Sequence, residues 1–373
     1  YLMGTIGSSL FLTAAGRWYD RLGGRIMIAG ASLALGIMVF FISVTDLIAA
    51  FFGGGLVLTF VLIMTGYFGV RFFGQGVLTS CSRNVLLRWF VKRRGLVSGI
   101  RGVFVSFGFS VAPLFLAGII VFFEWRGALW LLAILVGVVF TIFALIFVRD
   151  DPASCGLLPD GAKPEDNSEA SLMEVESKTL ADARRSPAFW LYSMSLGMYA
   201  MFGTALTFHV VSIFEEAGRG RVEAFGYFIP SAIFSTVTNL LASSFVDKHQ
   251  LKPFLVAMLA CFVIGAFGLL NLSEAWGYWL LAFGFGAGGG LWGVNSNLAY
   301  IRFFGPLHLG EISGLSTSLT VFASAVGPAA FSLGLDYFGS YDAAVKICLV
   351  LLSALLCAAT LLKQEELPIV PSA

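Results

Sequence analysis

Charge is what this sequence has least of. Asp, Glu, Lys and Arg together make up 12% of its 373 residues, against about a quarter in soluble domains. Water is therefore not the solvent for most of its surface. The net charge of +1 removes the basic field that a nucleic-acid partner requires. The five cysteines, Cys81, Cys155, Cys261, Cys348 and Cys357, stand far apart with neither paired nor metal-ligand spacing, and they read as packing residues. No phosphate-cradling loop follows a strand and no nucleophile elbow occurs, so nothing points to an enzyme or a cofactor. Short alternating strands, the mark of a membrane barrel, are missing too.

What is present is apolar length. Hydrophobic residues make up 58% of the chain, and a helix needs about 20 of them in a row to cross a bilayer. Runs between charged or turn-rich breaks predict eleven spans: 1 to 16, 26 to 45, 55 to 82, 96 to 121, 128 to 148, 188 to 213, 224 to 246, 254 to 272, 276 to 301, 312 to 334 and 343 to 362. The fold class is an all-α polytopic membrane protein. One set of loops holds most of the Lys and Arg, from Arg17 and Arg21 through Arg93 and Arg94 to Lys252 and Arg302. The opposite set holds only Arg126, Arg219, Arg221 and Lys346. Basic loops stay cytoplasmic, which orients the chain.

The one long polar stretch, 150–186, carries Pro152, Pro159, Pro164 and many acidic residues, and reads as a cytoplasmic linker with a short amphipathic helix. It separates a membrane half at 1–149 from another at 187–363, followed by a cytoplasmic tail at 364–373. The halves repeat each other. Residues 16–25 match 243–252, pairing Asp20 with Asp247 and Arg21 with Lys248; Arg88 matches Arg302, and Gly99 and Pro113 match Gly314 and Pro328 at the same spacing. The first half carries a surplus around Asp46 to Gly55.

The loop G-R-W-Y-D-R-L-G-G-R resembles the signature between the second and third helices of the major facilitator superfamily, through Gly16, Asp20, Arg21, Gly23 and Arg25. Gly24 departs from that pattern, where a basic residue is usual. Arg71 to Gly76, R-F-F-G-Q-G, is similar to the family's fourth-helix motif. Gly99, Gly108, Ala112 and Pro113 resemble its fifth-helix antiporter motif in degraded form. Trp89-Phe90 with Lys92 to Leu96, and Gly314 to Pro328 followed by Asp336, resemble the monocarboxylate and oxalate/formate antiporter branch. The spans 224 to 246 and 312 to 334 lack the basic residues that the oxalate/formate carriers hold there, which sets a dicarboxylate in doubt.

The resemblance implies two pseudo-symmetric six-helix halves, with this chain entering within the second helix and the first absent. It implies a monomeric secondary carrier in the plasma or inner membrane. Such a carrier works by alternating access, coupled to protons or by exchange. It also implies conformational roles for Asp20 and its counterpart Asp247. A carboxylate at a helix end pairs with an arginine, here Arg83 or Arg88, or with a facing helix N-terminus, in one state and releases in the other.

For cargo, Arg71 is the informative residue, because a charge inside an apolar span is costly and faces a cavity or a partner. The spans contain almost no Asp or Glu to neutralise it. An anion fits, since guanidinium grips a carboxylate bidentately. Tyr67 and Gln75 lie one turn either side of Arg71. Asn239 and Asn295 are further candidate contacts, with helix packing as the alternative. His209, the one histidine in a span, reads as an interfacial residue near the outer boundary rather than a proton carrier. The small residues Gly74, Gly76, Gly288, Gly290 and Gly327 suit close packing or bending as the halves rock. The expected function is transport of a small organic anion, a monocarboxylate by the branch resemblance. The rivals are efflux of a neutral or cationic compound, and a non-transporting sensor.

Overall fold

The computed structural model describes residues 2–161, 177–363 and 366–367. Every regular element among them is a helix, the form in which each backbone N–H and C=O is satisfied within its own segment and needs no water. Two compact units are each assembled from separate stretches of chain. One comprises Tyr1–Val91, Phe104–Glu174 and Pro306–Ser318; the other comprises Lys92–Val103, Val175–Gly305 and Leu319–Ala373.

The first unit opens with α1 (Leu2–Leu22) and α2 (Gly24–Phe51). The hinge between them is Gly23, whose φ of 81° places it in the left-handed region that a glycine adopts freely. Next come α3 (Leu56–Gly69), a π-helical segment (Val70–Leu78) and α4 (Thr79–Trp89) as one uninterrupted run. Helix α5 (Arg94–Ile134), whose residues up to Val103 belong to the second unit, breaks at Glu124, φ 57°, and continues through a second π-helical segment (Leu135–Val139) into α6 (Phe140–Phe147). The surplus after Asp46 lengthens α2 by six residues beyond its expected end, and a turn at Gly53 and Gly54 follows. There Arg126 donates to the carbonyl of Ser43 and to Asp46, both at 2.6 Å.

The second unit carries α7 (Leu180–Arg185), the expected short helix of the linker, with Thr179 and Asp182 forming a reciprocal capping box. Residues 162–176 of that linker lie outside the described residues. Then follow α8 (Pro187–Glu216), α9 (Arg221–Gly226), α10 (Phe228–Val246), α11 (Lys252–Leu270), α12 (Ala275–Phe304) and α14 (Asp342–Leu361). Helix α13 (Leu309–Phe338) begins in the first unit and continues in the second.

Counting the two limbs of α5 separately, eleven long helical stretches among the described residues overlap the eleven expected spans. Eight described helices are long and apolar enough to cross a membrane. Large apolar side chains such as Leu56, Phe60, Val121, Phe122 and Ile229 are exposed, as lipid-facing side chains are. With lipid outside, burial gives helices little reason to associate, so close approach of small residues does it instead. A Cβ on Gly36 would run into the backbone of Gly137, one on Gly284 into Gly265, and one on Gly290 into the carbonyl of Ser235.

Gly36→Val should therefore push α2 off the second π-helical segment, at a cost of about 1–3 kcal/mol. Thermal unfolding in detergent checks this, with Gly108→Val as the comparator, because a Cβ on Gly108 meets nothing within 4 Å among the described residues. A lowered midpoint for the first and none for the second is expected; equal effects would contradict the packing.

Candidate functional site

The motif residues assemble around two buried carboxylates, one in each unit. In the first unit, Asp20 at the end of α1 accepts the backbone N–H of Gly310 at 2.9 Å and of Glu311 at 2.8 Å. These are the orphan donors of the first turn of α13, so Asp20 caps a helix far away in sequence. Glycines make the approach possible. A Cβ on Gly16 would strike the carbonyl of Gly310, and one on Gly314 would lie 2.8 Å from the carbonyl of Leu12. Arg88 comes within 3.7 Å of Asp20, lies over the ring of Tyr19, and donates to the carbonyl of Pro306 at 3.5 Å. Beside it, Arg17 pairs with Glu311 at 2.9 Å and Asn84 donates to Ser313 at 3.1 Å.

The second unit repeats the arrangement. Asp247, just beyond α10, accepts the N–H of Gly95 at 2.8 Å and of Leu96 at 3.2 Å, the first turn of α5, and Arg302 stands 3.7 Å away. A Cβ on Gly99 would sit 2.6 Å from Ser243. Burial pushes both carboxyls above the ordinary carboxylate value, and the two backbone N–H groups and the arginine pull each partway back.

Of the two arginines expected to partner Asp20, Arg88 does so; Arg83 is half-buried on α4. Arg21 and Lys248 are exposed. Gly24 departs from the basic residue of the motif for a packing reason, since a Cβ there would strike Val85.

Two further carboxylates belong to these clusters and were not singled out in the sequence. Asp150, just past α6, accepts the N–H of Arg25 at 2.7 Å, while the Arg25 guanidinium donates to the carbonyl of Leu145 at 2.8 Å. Glu366, in the tail, accepts the N–H of Leu251 at 2.5 Å and stands 3.6 Å from Arg302. Each is an acidic residue placed shortly after the last helix of its half, and that position was the available signal.

Of the candidate cargo residues, Arg71 and Gln75 lie in the first π-helical segment, and Arg71 donates to Gln75 Oε1. Thr79 donates to the carbonyl of Gly74 at 3.3 Å across the same wide turn. Short π-helical insertions recur at functional sites, since the extra residue re-aims the side chains around it. Tyr67 is exposed on α3. Asn239 donates to the carbonyl of Gly290 at 3.1 Å, and its Oδ1 is buried with no partner among the described residues. Asn295 is fully enclosed and donates to the carbonyl of Leu291 at 2.9 Å, the geometry of helix packing. Arg101, half-buried on α5 within the expected span 96 to 121, is a second cation at membrane depth that the sequence reading passes over.

Among the glycines, a Cβ would strike Leu12 from Gly76, Phe262 from Gly288 and the carbonyl of Met201 from Gly327, whereas Gly74 makes ordinary contact with Leu35 at 3.4 Å. Pro328 sits inside α13. Pro113 lies outside the residues whose side chains are described.

A chain of many long apolar helices is the frame of an integral membrane protein. The family model of the Major Facilitator Superfamily matches residues 1–364, and the chain belongs to that family. No curated protein matches the sequence. Among solved structures, the chain resembles the E. coli fucose:proton symporter FucP at TM-score 0.66 and 12% identity, covering 98% of this chain and 91% of that one. The human organic anion transporter MFSD10 (TETRAN) matches at TM-score 0.63 and 14% identity over 96% and 82% of the two chains. The proton:xylose symporter XylE matches at 0.66 and 16% over 96% and 83%. The chain is thus an integral multi-pass membrane protein and a transporter by family.

Replacing Asp20 or Asp247 by Asn should each cost about 1–2 kcal/mol, the worth of a charged cap. Arg88→Gln should cost less, because its ion pair is long and partly screened. Denaturation in mixed micelles checks the order; a larger loss for Arg88→Gln would contradict it.

Proposed function

We propose that this protein is a secondary carrier for a small organic anion, a monocarboxylate by the branch resemblance, working by alternating access between its two membrane halves, 1–149 and 187–363. The observation that carries the reading is the sign of the charge at membrane depth. Arg71 and Arg101 lie inside the expected spans, which hold no Asp or Glu. Arg71 donates to Gln75 Oε1, a neutral acceptor. A carboxylate cargo would accept from the guanidinium through a bidentate contact.

In this reading Tyr67 and Gln75 flank the anion. The capped ends at Asp20 and Asp247 release and re-form as the halves move. A charge-assisted cap is worth only a few kcal/mol, which suits a reversible contact. Net movement is driven by a proton gradient or by exchange, and the protein acts as a monomer in the plasma or inner membrane.

One observation favours a neutral cargo instead. In the second unit the half-buried rings of Tyr199 and Trp292 lie 5.4 Å apart, and aromatic faces suit uncharged rings such as sugars. Two of the similar structures are named as sugar symporters.

Uptake of labelled lactate, pyruvate and a neutral sugar into proteoliposomes, with and without a pH gradient, separates the two. For the anion reading, uptake should be saturable, and Arg71→Gln should lower kcat/KM roughly ten- to a hundredfold, the loss of about 1.5–3 kcal/mol of charge-assisted bonding. Sugar uptake with no organic-anion uptake, or anion uptake untouched by the substitution, would overturn it.

A further inference from the structure

The seam between α2 and the helical run that ends in α6 is held at three heights. Thr141 donates to the carbonyl of Ala29 at 3.3 Å, Ser32 donates to the carbonyl of Val136, and Gly36 meets Gly137 with no side chain between the backbones. The side chains around that glycine contact stand as walls. They enclose an apolar cavity of about 390 Å³, whose lining includes Leu33, Ile37, Phe40, Trp130, Ile134 and Val138. All six are exposed, so the cavity faces the bilayer.

From the cavity the same face of α2 runs back to the helix start as Ile37, Leu33, Gly30 and Ile26, all exposed. A Cβ on Gly30 meets nothing within 4 Å among the described residues, so the track is unobstructed. Two guanidiniums stand where it ends. Arg25, in the first turn of α2, donates through Nε to the carbonyl of Leu145 at 2.8 Å. Arg149, just past α6, donates to the carbonyls of Ile146 at 2.8 Å and Val148 at 2.9 Å. A guanidinium has five N–H donors, and these neutral carbonyls take only part of each set. Asp150 accepts the backbone N–H of Arg25, and among the described residues no carboxylate pairs with either guanidinium.

The second half repeats the cap at its own last helix. Lys252, the counterpart of Arg25, donates to the carbonyls of Thr360 at 2.9 Å and Leu362 at 2.8 Å, at the end of α14. Capping therefore explains one cation in each half. It does not explain a second guanidinium on the same helix end, at the mouth of an open apolar track. Along α2 that track rises about 12 Å from Arg25 to Leu33, against about 15 Å for half the hydrocarbon core. An acyl chain hung from a head group at Arg25 reaches the cavity.

We propose that this seam binds one anionic phospholipid from the leaflet on the side of the basic loops. Its phosphate accepts N–H groups from Arg25 and Arg149, as guanidinium forks suit phosphate oxygens. One acyl chain lies over Ile26 and Gly30 with its end in the cavity. Two fixed positive charges at the end of an apolar track match an anionic head better than a zwitterionic one. The lipid joins α2 to α6 from outside, where the glycine contact joins them within. The proposal needs only that the chain spans a membrane, so it stands apart from the carrier reading and from any cargo.

Native mass spectra of the full chain, released from micelles holding equal amounts of phosphatidylglycerol and phosphatidylcholine with the same acyl chains, count the lipid that stays bound. One phosphatidylglycerol should be retained in preference, by about fivefold for each guanidinium. Arg25→Gln and Arg149→Gln should each remove about that factor. Lys252→Gln, which takes away the equivalent cap in the second half, should leave the preference unchanged. Gly30→Leu should lower retention with both arginines in place, because the new side chain fills the track, and the open space around Gly30 lets the fold accept it. Soluble glycerol phosphate, a head group without chains, should not displace the lipid. Equal retention of the two lipids by wild-type protein, displacement by glycerol phosphate, or a preference that survives loss of both guanidiniums would overturn the proposal. The wild-type and Gly30→Leu measurements decide the matter even where an arginine variant does not fold.

Discussion

A carboxylate holding the first turn of a distant helix is the contact on which the rest of this structure turns. The first N–H groups of α13 and of α5 have no partner within their own helices. Asp20 and Asp247 supply four hydrogen bonds to them. Everything nearby serves that geometry. Gly16, Gly95, Gly99, Gly310 and Gly314 remove the side chains that would hold the backbones apart. Arg88 and Arg302 then offset part of the cost of burying a negative charge. Each such contact is worth a few kcal/mol.

The depth of a membrane segment is legible in one dimension. Length and hydropathy therefore marked stretches that are helical among the described residues, eight of them long and apolar enough to cross a membrane. The internal repeat exposed Asp20, Asp247, Arg88 and Arg302 as equivalents, and the structure groups them as two equivalent clusters. What could not be read is what those carboxylates bind. The partners of Asp20 lie 290 and 291 positions away and are backbone amides, which no residue type announces. Asp150 and Glu366 escaped notice because one stands in a linker and the other in a tail, where acids are ordinary.

Other differences share one cause: a sequence shows a residue's height in the membrane but not the direction it faces. Asn239 and Asn295 both look available within spans, yet Asn295 is enclosed against α11 with a hydrogen bond to its own helix. His209 lies near the outer boundary by count and is nonetheless gripped by α13 and Tyr341. The π-helical turn at Arg71 has no sequence signature, although the Arg-Gly-Gly pattern marked its place. The broken turn at Glu124 joins two spans that hydropathy alone separates.

The caps make the most direct test of the account. Amide hydrogen exchange at Gly310, Glu311, Gly95 and Leu96 reports whether those donors are held by the carboxylates. In wild-type protein all four should be protected. In Asp20→Asn the first two should lose protection while Gly95 and Leu96 keep it, and Asp247→Asn should do the reverse. Protection that survives both substitutions would mean that other groups hold the helix ends, and the account would fail at its base.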